Sequence, residues 1–331
     1  MYQRILTKQT YVYVPVTESP KEWFCLAAIF DLTVSAKMND ISQHKYFGKT
    51  PRNTILGTHS MAVGYVIFMI IVLLWVEIFE VLPSLFKGST QVFTTNFLVF
   101  LYIMINVIGN YYYLVTTDTS YKKVETSNEE RDGYFYCQSC EQNSPPRSHH
   151  CSFCDSCIVR RDHHCIFTAS CLGHANYRFF IVFNLFVFVG SAYVVAINLY
   201  YLHLNIGPLI PLSFEAICKV IPLLTVFKLW TGTVTLYYFL VVCVTWLCLI
   251  QAFSCFGCFV FQMTLIYSGQ TTYEWRHNIF IYDEGWKKNF QDICGSLWYL
   301  WWLFPFFQIQ KLASSEEDYY TQYTSKTSKF V

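Results

Sequence analysis

The sequence predicts an all-α integral membrane protein with four transmembrane helices and a cysteine-rich cytosolic domain between the second and the third. Three observations predict this fold class. The chain is 54% hydrophobic and only 14% charged, which is too apolar for an ordinary soluble domain. Four apolar runs match or exceed the roughly 20 residues that a helix needs to cross a bilayer. Half of the 14 cysteines fall in one polar stretch between the second and third runs.

The elements divide the chain into five predicted segments, and no internal repeat is visible. The four spans are expected at about residues 60–82, 93–115, 179–202 and 234–268. The segments are a cytosolic N-terminal arm (1–59), the first two transmembrane helices (60–115), the cytosolic cysteine-rich domain (116–178), the last two transmembrane helices with a luminal connector (179–268), and a cytosolic C-terminal segment (269–331).

The orientation follows from the distribution of Lys and Arg. These residues concentrate in the N-terminal arm, the cysteine-rich domain and the C-terminal segment. The loop after the first span has only Lys87, and the connector after the third has Lys219 and Lys228. The positive-inside rule therefore places both termini and the cysteine-rich domain in the cytosol. A fifth span within residues 205–228 would break this arrangement, so we expect that stretch to be re-entrant or to lie along the luminal surface.

Two acidic residues, Glu77 and Glu80, lie at the luminal end of the first span. We expect an interfacial pair of carboxylates, and the alternative is a proton or ion path.

Residues 137–178 hold the side chains that carry chemistry. Cys-x-x-Cys pairs with nearby histidines have the spacing of zinc ligands, because one tight turn then aims both sulfurs at one tetrahedral ion. The cysteines and histidines of this stretch are Cys137, Cys140, Cys151, Cys154, Cys157, Cys165 and Cys171, with His149, His150, His163, His164 and His174.

The number of ligands indicates a spare thiol. Two closed tetrahedral sites need eight ligands, and six cysteines with two histidines supply two Cys3His sites if Cys165 is left over. Cys165 directly follows Asp162, His163 and His164. That order places a carboxylate and an imidazole beside a thiol nucleophile, for which a purely structural zinc module has no use.

The cysteine-rich block resembles the DHHC family of membrane protein S-acyltransferases, the palmitoyltransferases. The resemblance covers the whole run from residue 137 to 180 and extends to a Thr-Thr-x-Glu motif after the fourth span. It rests on Asp162, His163, His164, Cys165, Asn176, Phe180, Thr271, Thr272, Glu274 and Asn289.

The resemblance implies two structural Zn²⁺ ions and a catalytic set of Cys165, His163 and Asp162. His163 would take the thiol proton, and Asp162 would orient the imidazole. It implies structural support from Thr271, Thr272, Glu274 and Asn289. It assigns one zinc to Cys137, Cys140, His150 and Cys157, and the other to Cys151, Cys154, His164 and Cys171.

The implied activity is transfer of a palmitoyl group from palmitoyl-CoA, through a thioester on Cys165, to membrane-associated proteins with cytosol-facing cysteines. Arg160 and Arg161 are expected either to meet the CoA phosphates or to act only as positive-inside anchors. The implied location is an endomembrane, either Golgi or endoplasmic reticulum. The net charge of +1 gives no case for nucleic acid.

The sequence departs from the family pattern directly after the catalytic cysteine. The common Pro-Trp is replaced by Ile166-Phe167, and Thr168-Ala169-Ser170 stands where Asn residues are usual. The second hypothesis is therefore a catalytically weak or inactive, zinc-stabilised membrane scaffold of the same family. A transporter is not favoured, because the spans lack paired charges and obvious halves.

Overall fold

The structure of the protein, a computed structural model, describes residues 2–7, 10–15, 52–121, 134–207, 209, 214–295, 300 and 302–305. Most of the predicted N-terminal arm and the chain beyond residue 305 lie outside the described residues.

Four helices among the described residues are long and apolar enough to cross a membrane, at Thr58–Leu85, Thr90–Thr116, Tyr177–Asn205 and Leu236–Tyr267. The protein is therefore a multi-pass membrane protein, and the predicted four spans are confirmed. The first span combines α1 (Arg52–Val76), a π-helical turn (Glu77–Val81) and α2 (Leu82–Leu85). The others are α3 (Thr90–Thr116), α4 (Tyr177–Ile206) and α7 (Leu236–Tyr267).

Short strands accompany this mostly helical fold. Near the N-terminus β1 (Tyr2–Thr7) pairs antiparallel with β2 (Thr10–Pro15). In the described part of the chain between the second and third spans, six strands of three residues each form three separate antiparallel hairpins. They are β3 (Phe135–Cys137), β4 (Gln142–Ser144), β5 (His149–Cys151), β6 (Ser156–Ile158), β7 (His163–Cys165) and β8 (Ser170–Leu172).

The chain contains two compact units. Unit 1 comprises Met1–Val63, Asn110–Val182 and Val260–Val331, and it contains the three hairpins with α8 (Thr272–Arg276) and α9 (Trp286–Cys294). The hairpins have a small apolar cluster of Cys151, Ile158 and Cys171 against Cys154. Three of these four residues are cysteines, so this cluster supplies little aliphatic or aromatic core among the described residues.

Unit 2 comprises Gly64–Gly109 and Phe183–Phe259. Its apolar core includes Val81, Leu82, Phe100, Leu202 and Val242. Between α4 and α7 lie the short helices α5 (Phe214–Val220) and α6 (Pro222–Trp230). The described part of the stretch considered as a fifth span thus contains two short helices instead of one membrane-spanning helix. Large apolar side chains of α6 are exposed, with Leu223 at 79% and Trp230 at 82%.

Candidate active site and metal centres

Among the described residues of unit 1, two groups of four Cys and His side chains converge. In each group all the ligand atoms lie within 4.8 Å of one another, close enough to hold one metal ion. The first group is Cys137, Cys140, His150 and Cys157, and the second is Cys151, Cys154, His164 and Cys171. The structure thus brings the predicted ligands together in the two predicted sets.

Strand geometry explains why neighbouring residues serve different groups. Successive side chains of a strand point to opposite faces, so His150 and Cys151 on β5 join different groups. Residues directly opposite across a hairpin share a face. His150 pairs with Cys157, and His164 pairs with Cys171, so each cross-strand pair supplies two ligands to one group. The two groups are therefore interleaved through β5.

The hairpins form a 14-residue repeat, so the expectation of no internal repeat was wrong. Their registers are identical: Cys137 faces Gln142, Cys151 faces Ser156, and Cys165 faces Ser170. Each hairpin turn also contains one residue with a positive φ at the same place. These residues are Glu141 at 52°, Asp155 at 51° and Ala169 at 51°.

The repeat explains why Cys165 belongs to neither metal group. In the first two copies a second cysteine follows three residues after the first, at Cys140 and Cys154. In the third copy Thr168 occupies that position. Its hydroxyl donates to the carbonyl oxygens of Cys165 at 3.3 Å and Ser170 at 3.4 Å instead. The third hairpin therefore has the same backbone fold as the two hairpins that supply a Cys-x-x-Cys pair, but it lacks the second cysteine of that pair.

A buried carboxylate orients the histidine beside the spared thiol. The Asp162 side chain is fully buried, and its Oδ2 lies 2.7 Å from His163 Nδ1. Thr272 donates to Asp162 twice, from its backbone nitrogen to Oδ1 at 2.7 Å and from its hydroxyl to Oδ2 at 2.9 Å. Cys165 interacts with the same histidine and is only 8% exposed.

The electrostatics favour an ion pair between Cys165 and His163. Burial alone would lower the pKa of His163, but the hydrogen bonds to Asp162 and Cys165 outweigh it and raise that pKa to about 10. Burial would raise the pKa of Cys165, but His163 reverses the shift and lowers it. Burial also opposes ionisation of Asp162, yet hydrogen bonds from His163 and Thr272 hold its pKa below the usual value. The arrangement therefore favours a Cys165 thiolate beside a His163 imidazolium.

The Thr-Thr-x-Glu motif begins α8 and holds it to the hairpins. Thr271 and Glu274 form a capping box in which each side chain accepts from the other's backbone N–H. Arg147, from the turn before β5, donates to both Glu274 carboxylate oxygens at 2.7 and 2.6 Å and to the Gly269 carbonyl at 2.9 Å. This buried ion pair fixes the helix whose Thr272 contacts Asp162.

Asn289 performs a similar structural role on α9. Its amide donates to the Tyr267 carbonyl at 3.0 Å and to Asp283 Oδ1 at 2.8 Å, and its oxygen accepts from the Glu284 N–H at 3.0 Å.

Arg160 and Arg161, expected either at the CoA phosphates or as positive-inside anchors, both contact other side chains of the protein. Arg160 is buried and pairs with Asp292 at 2.9 Å. The Arg161 guanidinium lies beside the Cys171 and Cys151 thiols of the second metal group. This geometry argues against phosphate binding by Arg160, because its guanidinium is already paired in a site that excludes solvent.

Two further residues contact the site and were not identified from the sequence. His59, at the start of the first span, stacks on His164 with ring centroids 4.9 Å apart, and the two Nε2 atoms are 3.2 Å apart. His164 Nδ1 faces the three thiols of its group, so its Nε2–H is free to donate to His59. The Tyr111 hydroxyl donates to the Phe167 carbonyl at 2.8 Å. Neither contact has a local sequence signal.

These features define the class, a multi-pass membrane protein whose cysteine-rich module has two Cys/His groups able to hold a metal ion and a cysteine–histidine–aspartate arrangement. Residues 130–279 match the family model described as DHHC palmitoyltransferase. The chain is 33% identical over 212 residues to the probable palmitoyltransferase ZDHHC24 of Mus musculus, covering 62% of this chain and 71% of that protein.

Two further relatives are also named as palmitoyltransferases. The Homo sapiens probable palmitoyltransferase ZDHHC24 is 34% identical over 61% of this chain and 70% of its own length. The Rattus norvegicus palmitoyltransferase ZDHHC22 is 28% identical over 78% of this chain and 96% of its own length. The chain belongs to the DHHC palmitoyltransferase family, and the family predicted from the sequence is confirmed.

Proposed function

We propose that this protein transfers a palmitoyl group from palmitoyl-CoA to cysteine thiols of membrane-associated proteins, through a thioester on Cys165. Membership of the family supports protein S-acyltransferase activity. The observation that supports the choice of nucleophile is the exclusion of Cys165 from both metal groups, combined with its contact to a histidine that a buried carboxylate orients.

The first step forms the acyl-enzyme. The Cys165 thiolate attacks the carbonyl carbon of the acyl-CoA thioester, and the bond from that carbon to the CoA sulfur breaks. The departing CoA thiolate takes the proton of the His163 imidazolium, so that His163 becomes neutral. Asp162 keeps the imidazole oriented throughout, as the carboxylate of a catalytic triad does.

The second step transfers the acyl group. Neutral His163 takes the proton of a substrate cysteine, whose thiolate then attacks the acyl-Cys165 thioester. The Cys165 thiolate and the imidazolium are both restored. One thioester is exchanged for another in each step, so the protein needs chiefly to position the reacting groups and to exclude water.

The two Cys and His groups are proposed to hold structural Zn²⁺. Three thiolates and one imidazole form a typical closed zinc site, which leaves no position for substrate. When bound, the ions supply folding free energy rather than Lewis acidity at the thioester. Each group offers four ligands, so we expect about two zinc ions per chain. A metal content near zero or one would contradict this assignment.

The proposed setting is the cytosolic face of an endomembrane, Golgi or endoplasmic reticulum. The concentration of Lys and Arg in the segments flanking the spans supports the cytosolic side, and the endomembrane rests on the family resemblance. Substrate proteins would carry their cysteines at the same face, and the acyl chain would lie in the bilayer. The thioester on Cys165 would make the enzyme itself transiently a lipoprotein.

The decisive experiment is labelling of the purified full-length protein with a palmitoyl-CoA analogue. We expect a hydroxylamine-labile label on wild type and on Cys243→Ala, a matched change of a cysteine in α7. Cys165→Ala should take up none. If wild type with its full metal content takes up no label where an active relative does, the inactive scaffold is the correct function.

A further inference from the structure

Unit 2 contains a carboxyl group that the proposed reaction does not use. Glu77 is 0% exposed, whereas Glu80 is partly exposed. The expected interfacial pair is therefore not formed, because one member is wholly buried within a membrane span. Neither carboxyl oxygen of Glu77 makes a hydrogen bond of normal length among the described residues. Such residues in membrane spans are rare and are associated with function.

A second group without hydrogen bonds faces it from α4. Asn198 is also 0% exposed, and neither its side-chain oxygen nor its nitrogen makes a hydrogen bond of normal length to any residue that the structure describes. Its amide lies beside the Glu77 carboxyl. Buried polar groups nearly always have a hydrogen-bond partner. Four such atoms without one, on two adjacent side chains, indicate that the side chains bond to each other or to a shared partner.

Among the described residues, no cationic side chain lies beside Glu77. The other titratable groups near Glu77 are the Tyr193 hydroxyl and the Cys248 thiol, and neither is a cation. The Tyr193 hydroxyl already donates to Asn96 Oδ1 at 3.0 Å. Glu77 also begins the π-helical turn Glu77–Val81, and such turns are rare and frequently mark functional positions.

The chemistry of the two groups decides their protonation state. An ionised carboxylate has two acceptors and no donor, so it would leave the Asn198 oxygen facing another oxygen. A carboxylic acid has one donor and one acceptor, as does one edge of the amide. An acid and an amide can therefore form two reciprocal hydrogen bonds, which satisfy all four atoms. Burying an unpaired charge would be far more costly.

We propose that Glu77 holds a proton and that Glu77 and Asn198 form an acid–amide pair joining the first and third spans. The acid O–H donates to Asn198 Oδ1, and Asn198 Nδ2 donates to the other acid oxygen. The site is thus a buried proton-binding site within the membrane region, and it is independent of the proposed acyl transfer.

Carbodiimide labelling of the full-length protein in detergent micelles tests the protonation state. A hydrophobic carbodiimide adds to a protonated carboxyl and leaves a stable N-acylurea, whose mass is that of the two reactants combined. We expect Glu77 to be modified at pH 7, as located by mass spectrometry, and Glu80 to be modified less. If Glu77 stays unmodified in the folded protein but reacts after denaturation at acid pH, the proposal is overturned.

Thermal unfolding of matched variants tests the pairing. Glu77→Gln offers Asn198 the same donor and acceptor, so its Tm should equal that of wild type. Glu77→Leu leaves the amide unpaired and should lower Tm by roughly 2–4 °C. A Glu77→Gln variant that loses as much as Glu77→Leu would show that the negative charge is used, for example to bind a cation, and would refute the acid–amide pair.

Discussion

Asp162→Asn removes the carboxylate while keeping the shape of the side chain. Asp162 Oδ2 accepts from both His163 Nδ1 and the Thr272 hydroxyl, and Oδ1 accepts from the Thr272 backbone. The asparagine oxygen can satisfy the Thr272 backbone N–H, and its NH₂ then faces His163. His163 must accept at Nδ1 and carry its proton on Nε2, which is the wrong tautomer for taking the proton of Cys165.

The magnitude follows from the bond that is lost. A hydrogen bond to a charged group contributes about 1.5–3 kcal/mol, and each 1.4 kcal/mol is a factor of ten in rate. The autoacylation rate should therefore fall by about 10–150-fold from this bond alone. The inverted tautomer increases the loss, and the corresponding change in the Ser-His-Asp triad costs about 10⁴-fold.

The pH dependence gives an independent readout. The thiolate–imidazolium pair of wild type is present above the lowered pKa of Cys165 and below the His163 pKa of about 10. Wild-type activity should decline as the pH falls through the former or rises through the latter. Asp162→Asn removes the hydrogen bond that most raises the pKa of His163. The decline in activity at alkaline pH should therefore move toward about 6.5, the ordinary pKa of histidine.

Initial rates of palmitoyl-CoA labelling from pH 6 to 10 measure both effects. Asp118→Asn, at an exposed aspartate outside this network, is the control, and the metal content of each variant should equal that of wild type. A rate for Asp162→Asn within about threefold of wild type, with the same pH profile, would refute the role assigned to the carboxylate.

Three further predictions test the surrounding structure. Thr168→Cys restores a Cys-x-x-Cys pair in the third hairpin and should draw Cys165 into a metal site or a disulfide, so that palmitoyl-CoA labelling is lost. Thr168→Ser should still be labelled. Arg147→Met breaks the buried ion pair and should destabilise the protein by about 3–5 kcal/mol, whereas Arg147→Met with Glu274→Met should recover most of the loss in thermal unfolding. His59→Phe keeps ring stacking but removes the acceptor of the metal-ligating histidine. It should lower metal affinity of the second group by about 10–100-fold in chelator competition, without affecting the first.

The spans and the metal groups could be predicted because their signals are local. A membrane helix is encoded in about twenty consecutive apolar residues, and metal ligands recur at short fixed spacings. The 14-residue repeat was also readable, since His150-Cys151 and His164-Cys165 are two copies of one pair. Tyr136 breaks the pattern in the first copy and Thr168 in the third, which hid the repeat.

Partners distant in the chain could not be predicted. Arg160 and Asp292 are 132 residues apart, and Arg147 and Glu274 are 127 apart. In sequence, a surface arginine and a buried, ion-paired arginine look alike, and only the fold distinguishes them. For this reason the sequence offered only two roles for Arg160, contact with the CoA phosphates or a positive-inside anchor, and not the ion pair with Asp292. Glu77 was expected at the interface because it lies near the end of a span. Position along a span does not show which face of the helix is buried, so the burial of Glu77 could not be predicted.

The altered residues directly after Cys165, the proposed nucleophile, do not favour the inactive scaffold. The contacts that hold this turn use its backbone: the Tyr111 hydroxyl donates to the Phe167 carbonyl, and the Thr168 hydroxyl donates to the Cys165 and Ser170 carbonyls. Every residue type offers a backbone carbonyl, so replacing the usual Pro-Trp leaves these acceptors in place. Ile166 and Phe167 are 43% and 48% exposed, so their replacement removes little packing. The change therefore alters the surface next to the nucleophile, where an acyl chain or a substrate protein would approach, rather than the geometry that activates it.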